Sequence, residues 1–228
     1  METPITTQSF NPETATGVHR WYTDLHKIYT GITGHFNLRT FAEVGFGPAN
    51  IALAFQFRKY AKKLLLVEPN HELYQQGVEL LPDADWHNVA IDATKGKRPL
   101  VLNNGSSYLQ HTHFAPTPIG SKNNRRLAMG MPKQTAKTQE VFTVTFDFLD
   151  DGEIDCLNLD CEGHEWIVLQ QMKSTPKVIM IELWSSNPNL KDISNWLCQN
   201  NYKCLFTTGV QGETQVWYFN YRYTHTTA

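Results

Sequence analysis

Two hydrophobic periods alternate along the chain. Residues 41–44 form a short, mainly apolar run, which predicts a buried strand, and Pro48 falls where a proline suits the first turn of a helix. Ile51, Leu53, Ala54, Phe55 and Phe57 supply that helix's inner face, with Lys62 and Lys63 near its end to match the negative pole of the helix dipole. Residues 64–67 read Leu-Leu-Leu-Val without alternation, as a parallel strand covered on both faces does. The pattern then predicts a helix over 72–81 and a third strand over 86–91. Two strand–helix units followed by a strand predict a parallel sheet with helices on both sides.

The second half repeats the theme. Strands are predicted at 99–102, 141–146, 154–159 and 178–183, with a turn at 147–152. Helices are predicted at 166–172, stopped by Pro176, and at 190–199. Residues 202–208 and 214–219 flank Gly209-Val210-Gln211-Gly212 as an antiparallel hairpin. At the other end, Val18, Trp21, Tyr22, Leu25, Ile28 and Tyr29 recur at helical intervals, predicting an amphipathic helix over 17–30. Residues 1–16, rich in Thr, Pro and Asn, lack any hydrophobic period and read as a mobile leader.

Composition narrows the classes. At 228 residues, with 41% apolar and 18% charged residues, the chain suits one globular domain over 17–228, not a disordered or fibrous protein. A net charge of -2 provides no global attraction to phosphate, which disfavours a nucleic-acid partner. No apolar stretch approaches the roughly 20 residues that span a bilayer, and residues 1–12 lack a signal-peptide core, so a cytoplasmic protein without a membrane partner is expected. Cys156, Cys161, Cys198 and Cys204 show no metal or disulfide spacing and read as reduced thiols. Residues 103–138 form an irregular insertion carrying Lys122, Arg125, Arg126, Lys133 and Lys137 and no acidic residue.

Candidate chemistry begins in residues 40–70, where strand, glycine turn, helix and strand end in Glu68. That is the layout of a nucleoside half-site, the carboxylate accepting two ribose hydroxyls. Gly45 and Gly47 fit the first two positions of G-x-G-x-x-G, but Asn50 replaces the third glycine, which counts against a dinucleotide. Glu43, two residues before the first glycine, would repel a pyrophosphate but can hold an ammonium group. S-adenosylmethionine, with a ribose and no phosphate, fits better than NAD. An NAD-type Rossmann oxidoreductase, a non-catalytic binding protein with the same fold, and Glu43 as a satisfied strand-end acid remain alternatives. A second concentration of acids, Asp160, Glu162 and Glu165 with His164, follows the strand at 154–159.

The assembled pattern resembles the FkbM family of class I methyltransferases. The resemblance is carried by EVGFGPAN at 43–50, VEPNHELY at 67–74, NVAI at 88–91, NNGSSYL at 103–109, IDCLNLDCEGHEWIVL at 154–169 and IMIEL at 179–183. A strand ending in D-x-E-G-x-E and followed by a helix is its specific part. The first motif departs from the family's usual D-x-G-A-N-x-G by having Glu43, Phe46-Gly47 and Ala49. The resemblance implies an α/β Rossmann-like fold: a seven-stranded, mostly parallel sheet with helices on both faces and an antiparallel last strand. It also implies methyl transfer from S-adenosylmethionine, commonly to a hydroxyl oxygen. Position by position, Glu43, Gly45 and Gly47 would flank the methionine part, Glu68 would bind the ribose, and Asn88 to Ala90 would lie near the adenine. Asp160 would sit at the carboxyl end of the fourth strand.

Methyl transfer from a sulfonium needs an aligned acceptor and a base for its proton. Asp160 is expected near the methyl group, with His164 and Glu162 as the other catalytic candidates. Some O-methyltransferases of this fold use a divalent cation, and Asp160 and Glu182 stand where carboxylates would hold magnesium. The basic insertion suggests a small-molecule or glycan acceptor with negative charge, such as a phosphorylated sugar. Nothing in the sequence indicates an oligomeric state.

Overall fold

The computed structural model describes residues 38–46, 54–55, 57–102, 107–109, 137–184, 187–208 and 215–222. The leader and helix predicted over 1–30, and all of the basic insertion except 107–109 and 137–138, lie outside the described residues.

Strands β1 (Leu38–Val44), β2 (Ala61–Val67), β3 (Asp85–His87), β8 (Ile154–Leu159), β9 (Val178–Trp184), β10 (Tyr202–Thr208) and β11 (Gln215–Arg222) form one sheet in the order β10-β11-β9-β8-β1-β2-β3. The five strands from β9 to β3 are parallel, whereas β11 runs antiparallel to both β9 and β10. This is the seven-stranded sheet with an antiparallel final strand that the sequence implied.

The unalternating apolar runs follow from burial on both faces. Ala42, Leu65, Leu157 and Ile179 lie in one register row and face Val168 of α3 (Glu165–Gln171) and Ile193 and Leu197 of α4 (Leu190–Gln199). Phe41, Leu64, Cys156 and Val178 form the row on the opposite face, packed with Phe57, Ala54 and Leu81. Phe41 and Phe57 stack with ring centroids 4.0 Å apart. Each such side chain, fully buried, contributes about 1.5–3 kcal/mol, so the sheet centre is the rigid frame on which the strand ends are fixed.

Helix α1 (His71–Leu80) follows β2. Its start is set by Asn70, whose side chain accepts the Glu72 N–H at 3.0 Å, with Glu72 at the positive pole of the dipole. A four-residue helix, α2 (Phe146–Leu149), replaces the predicted turn at 147–152, because Phe146 is fully buried and draws the chain inward. The buried Asp150 carboxyl then gathers the N–H groups of Gly152, Lys173 and Ser174.

Two further expectations change. Lys62 and Lys63 belong to β2, not to the end of a helix: a turn at Arg58–Tyr60 ends the helical segment, and Lys63 reaches Asp85 at 3.2 Å and Asp151 at 3.5 Å from the strand. The predicted strand over 86–91 is two strands in different sheets. Asn88 breaks it, since its amide donates to the carbonyls of Glu68 (2.8 Å) and Pro69 (3.2 Å) and pulls the chain off the sheet edge. Beyond it, β4 (Ala90–Ile91) enters a second sheet with β5 (Gly96–Leu102), β6 (Tyr108–Leu109) and β7 (Lys137–Val144), ordered β4-β7-β5-β6. Ala90, Leu100, Leu109 and Val141 are the small core of that sheet.

No helix among the described residues is long and apolar enough to cross a membrane.

Candidate functional site

Val44, Val67, Leu159 and Ile181 lie side by side across β1, β2, β8 and β9. The next residue of each strand is Gly45, Glu68, Asp160 and Glu182, so register alone sets one glycine and three carboxyls in a row at the carboxyl edge of the sheet. Ligands of open α/β sheets bind at such an edge.

Gly45 is what lets this row close up. Its φ is +90°, and a Cβ there would stand 1.8 Å from the Asp160 carbonyl oxygen. The Asp160 N–H donates to the Val44 carbonyl at 2.9 Å, and the Gly45 N–H to the Val67 carbonyl at 3.0 Å. The first neighbour for which Gly45 makes room is therefore the backbone of the acidic loop. Gly47 lies outside the described residues.

A cleft opens between this edge and the second sheet. Gly45, Glu68, Ala90, Asp160, Glu162 and His164 all line it. Its other wall is apolar, from Val89, Ile91, Leu100 and Leu109. Among the described residues, three predicted site residues are absent from the lining: Asn88, Glu43 and the metal candidate Glu182. Asn88 sits behind the Glu68 loop, where it holds two carbonyls and its Oδ1 meets His71 Nδ1 at 3.0 Å. Glu43 lies beneath the cleft, fully buried, its Oε1 accepting the Asn158 amide at 3.0 Å.

The electrostatics follow from burial. Glu68 is buried at the cleft wall with Oε1 accepting the Asn70 N–H at 2.6 Å. Burial pushes its carboxyl up to about 8, against the pull of backbone N–H groups at Asn70 and Phe46 and with the push of Asp160. Glu43 is held well above the usual carboxylate range, by burial first and then, despite the Asn158 bond, by the charges of Asp160 and Glu68. His164 is lowered by burial, with Asp92 opposing the shift, and is a neutral imidazole at pH 7.

The loop between β8 and α3 owes its shape to two left-handed residues, Glu162 at φ 50° and Gly163 at φ 106°. Glu165 secures it. Its Oε1 accepts the Gly163 N–H at 2.9 Å and its Oε2 the Asn187 amide at 3.2 Å, and burial pushes it to about 7. Glu165 is thus a loop brace rather than a base facing the cleft. Asn158 and Asn187 were not foreseen as site residues; the signal for Asn158 was a polar residue in the otherwise apolar second half of the 154–159 strand.

Asp160, Glu162 and Glu182 bring ligand oxygens within 4.8 Å of one another. Burial, then the charge and hydrogen bond of Asp160, push Glu182 up to about 12. Carboxyls this close relieve their repulsion by sharing a proton or by holding a cation. Three carboxyls alone do not define a magnesium site, and no step below is routed through a metal.

The model of the methyltransferase FkbM domain matches residues 41–204, from β1 into β10. The chain belongs to the FkbM methyltransferase family. It is accordingly an S-adenosylmethionine-dependent methyltransferase, and the matched span contains both the carboxyl-edge row and the 160–165 loop. Comparison with curated protein sequences gives no match. Among solved structures, the ribosomal protein L11 methylase of Lactobacillus delbrueckii subsp. bulgaricus is similar at 14% identity, with 98% of this chain and 91% of that chain covered and a TM-score of 0.45. The human methyltransferase 10 domain containing protein is similar at 12% identity, with coverage of 89% and 81% and a TM-score of 0.44.

The cleft of this FkbM domain suits its cofactor. Glu68 presents a carboxyl group at the cleft wall for vicinal hydroxyls, the Val89–Ile91 wall offers an apolar face to a base, and the surrounding carboxyls suit a cation.

Proposed function

We propose that this FkbM domain transfers the methyl group of S-adenosylmethionine to a hydroxyl oxygen of a sugar or other small metabolite. Glu68 holds the ribose hydroxyls, the turn at Gly45 supports the methionine part, and Ala90 with its neighbours contacts the adenine. When bound, the cofactor supplies an activated sulfonium methyl group. The protein's task is then to orient the acceptor oxygen and take its proton.

The observation that carries this reading is the neutral, buried His164 sharing one cleft with Asp160. A neutral imidazole accepts a hydroxyl proton, and Asp160 orients the same hydroxyl or stabilises the imidazolium that results. Glu162, on the left-handed turn between them, shapes the acceptor side. The basic residues Lys122, Arg125, Arg126, Lys133 and Lys137, in a stretch without an acid, favour an acceptor with negative charge.

Turnover of a labelled methyl group with a panel of neutral, phosphorylated and nucleotide-linked sugars tests the reading. Hydroxyl-linked product, lost in His164→Ala with cofactor affinity retained, supports it. Methylation only of nitrogen or carbon acceptors, or unimpaired turnover by His164→Ala, refutes it.

A further inference from the structure

One buried polar pair has no part in this scheme. Glu43 and Asn158 are partners in register on β1 and β8, the adjacent strands at the middle of the sheet, and neither has any exposure. Asn158 Nδ2 donates to Glu43 Oε1 at 3.0 Å, which leaves Glu43 Oε2 and Asn158 Oδ1 buried without a partner among the described residues. Both are acceptor oxygens when the carboxyl is ionised, so the pair lacks one donor. Turning the amide over exchanges the roles of its two ends but supplies no further hydrogen.

A proton on the carboxyl group supplies the donor that both oxygens lack, and acid and amide then satisfy each other. It also removes a charge from a place where water does not reach. Among the described residues, the groups facing Glu43 offer no compensation. From β2 it meets Leu66 in register and the acid of Glu68 beyond; from β8 it meets Asn158, the Cys156 thiol and the acid of Asp160. Glu68 and Asp160 both line the cleft, so Glu43 lies within electrostatic reach of whatever enters it.

We propose that Glu43 and Asn158 form a proton-holding pair which fixes the glycine turn against β8, and that Glu43 releases its proton to solvent when the cofactor's positive groups enter the cleft. The inference rests on the S-adenosylmethionine reading above. The Glu43 O–H bond breaks, its electron pair stays on the carboxylate, and the proton passes to buffer. A nearby cation in a water-poor site favours that ionised form. Asn158 acts as a positioning residue: its carboxamide holds the carboxyl in either protonation state.

The experiment is calorimetric titration of the full chain with S-adenosylmethionine at pH 7 in two buffers of different ionisation enthalpy, repeated from pH 6 to 8. The unmodified chain should release protons on binding, its affinity rising by up to about tenfold per pH unit for each proton released. Glu43→Gln keeps the pairing with an N–H in place of the O–H. It should release up to one proton fewer, with a correspondingly flatter affinity profile. Equal release and equal slope in the two proteins overturn the proposal while leaving the cofactor reading intact; no binding by the unmodified chain removes both. If the variant does not fold, the unmodified chain still decides. Absence of release overturns the proposal, and release that persists in Glu68→Gln supports it.

Discussion

Alanine at Gly45 tests the central contact of the site. The substitution places a Cβ at φ +90°, which costs about 1–2 kcal/mol in an L-residue. That Cβ would lie 1.8 Å from the carbonyl oxygen and 2.6 Å from the carbonyl carbon of Asp160, so the two backbones must part by more than 1 Å. Parting them breaks the Asp160-to-Val44 and Gly45-to-Val67 hydrogen bonds, each worth about 1 kcal/mol net. The expected destabilisation is about 3–4 kcal/mol, with a loss of S-adenosylmethionine affinity because Asp160 leaves its place. Gly152 is the internal control. Its φ is +88°, yet nothing lies within 4 Å of the site its Cβ would occupy, so Gly152→Ala should cost only the conformational term, about 1–2 kcal/mol, and leave the cofactor site unchanged. Urea unfolding of the two variants, followed by cofactor titration, measures both quantities. Equal destabilisation, or unaltered cofactor binding by Gly45→Ala, would refute the claim that this glycine serves the approach of the acidic loop.

Three further outcomes follow from the same geometry. Burial pushes folded Glu68 up to about 8, whereas the unfolded carboxyl releases its proton near 4.5, so this group's stabilisation is complete below about 4.5 and is lost as pH rises toward 8; Glu68→Gln should flatten thermal stability over that window and, above about pH 8 where the carboxylate is ionised, weaken cofactor binding at least tenfold, the loss expected for a charged hydrogen-bond partner. Asn88→Ala should cost about 1–3 kcal/mol in denaturant unfolding, because the Glu68 and Pro69 carbonyls lose their donor, and should also weaken cofactor binding by freeing the Glu68 loop. Asp150→Ala, which strands the N–H groups of Gly152, Lys173 and Ser174, should destabilise by at least about 3 kcal/mol yet leave cofactor affinity unchanged, which an isothermal titration of the folded variant checks.

The parts of the fold that the sequence made legible are those governed by burial on both faces. Runs such as Leu64-Leu65-Leu66-Val67 and the strand at 154–159 have one physical solution in a chain of this length, a strand covered on either side, and both lie where they were predicted. The second sheet was illegible for the converse reason. Strands β5 and β7 carry many exposed and half-buried positions, and the switch between sheets at Asn88 depends on two side-chain bonds to carbonyls 19 and 20 residues away. In the site, Glu68 and Asp160 could be foreseen because a residue one step past a buried strand must emerge at its edge. The role of Glu165 was not legible, since sequence spacing cannot tell a carboxyl that bonds Gly163 from one that points outward.

The crowding of acids itself bears on what the cleft holds. Glu43, Glu68, Asp160, Glu162, Glu165 and Glu182 come from four strands or their ends, the loop after β8 and the start of α3, and burial raises Glu43, Glu68, Glu165 and Glu182. Like charges gathered in a water-poor place oppose folding unless protons or a cationic partner neutralise them. A dinucleotide would bring its own negative pyrophosphate to this edge and worsen the repulsion. The sulfonium and ammonium groups of S-adenosylmethionine relieve it, and the methylated product loses the sulfonium charge and with it part of that attraction. If the cofactor lies along this edge as proposed, the same carboxyls should favour the donor over S-adenosylhomocysteine, and equal dissociation constants for the two in calorimetry would refute that.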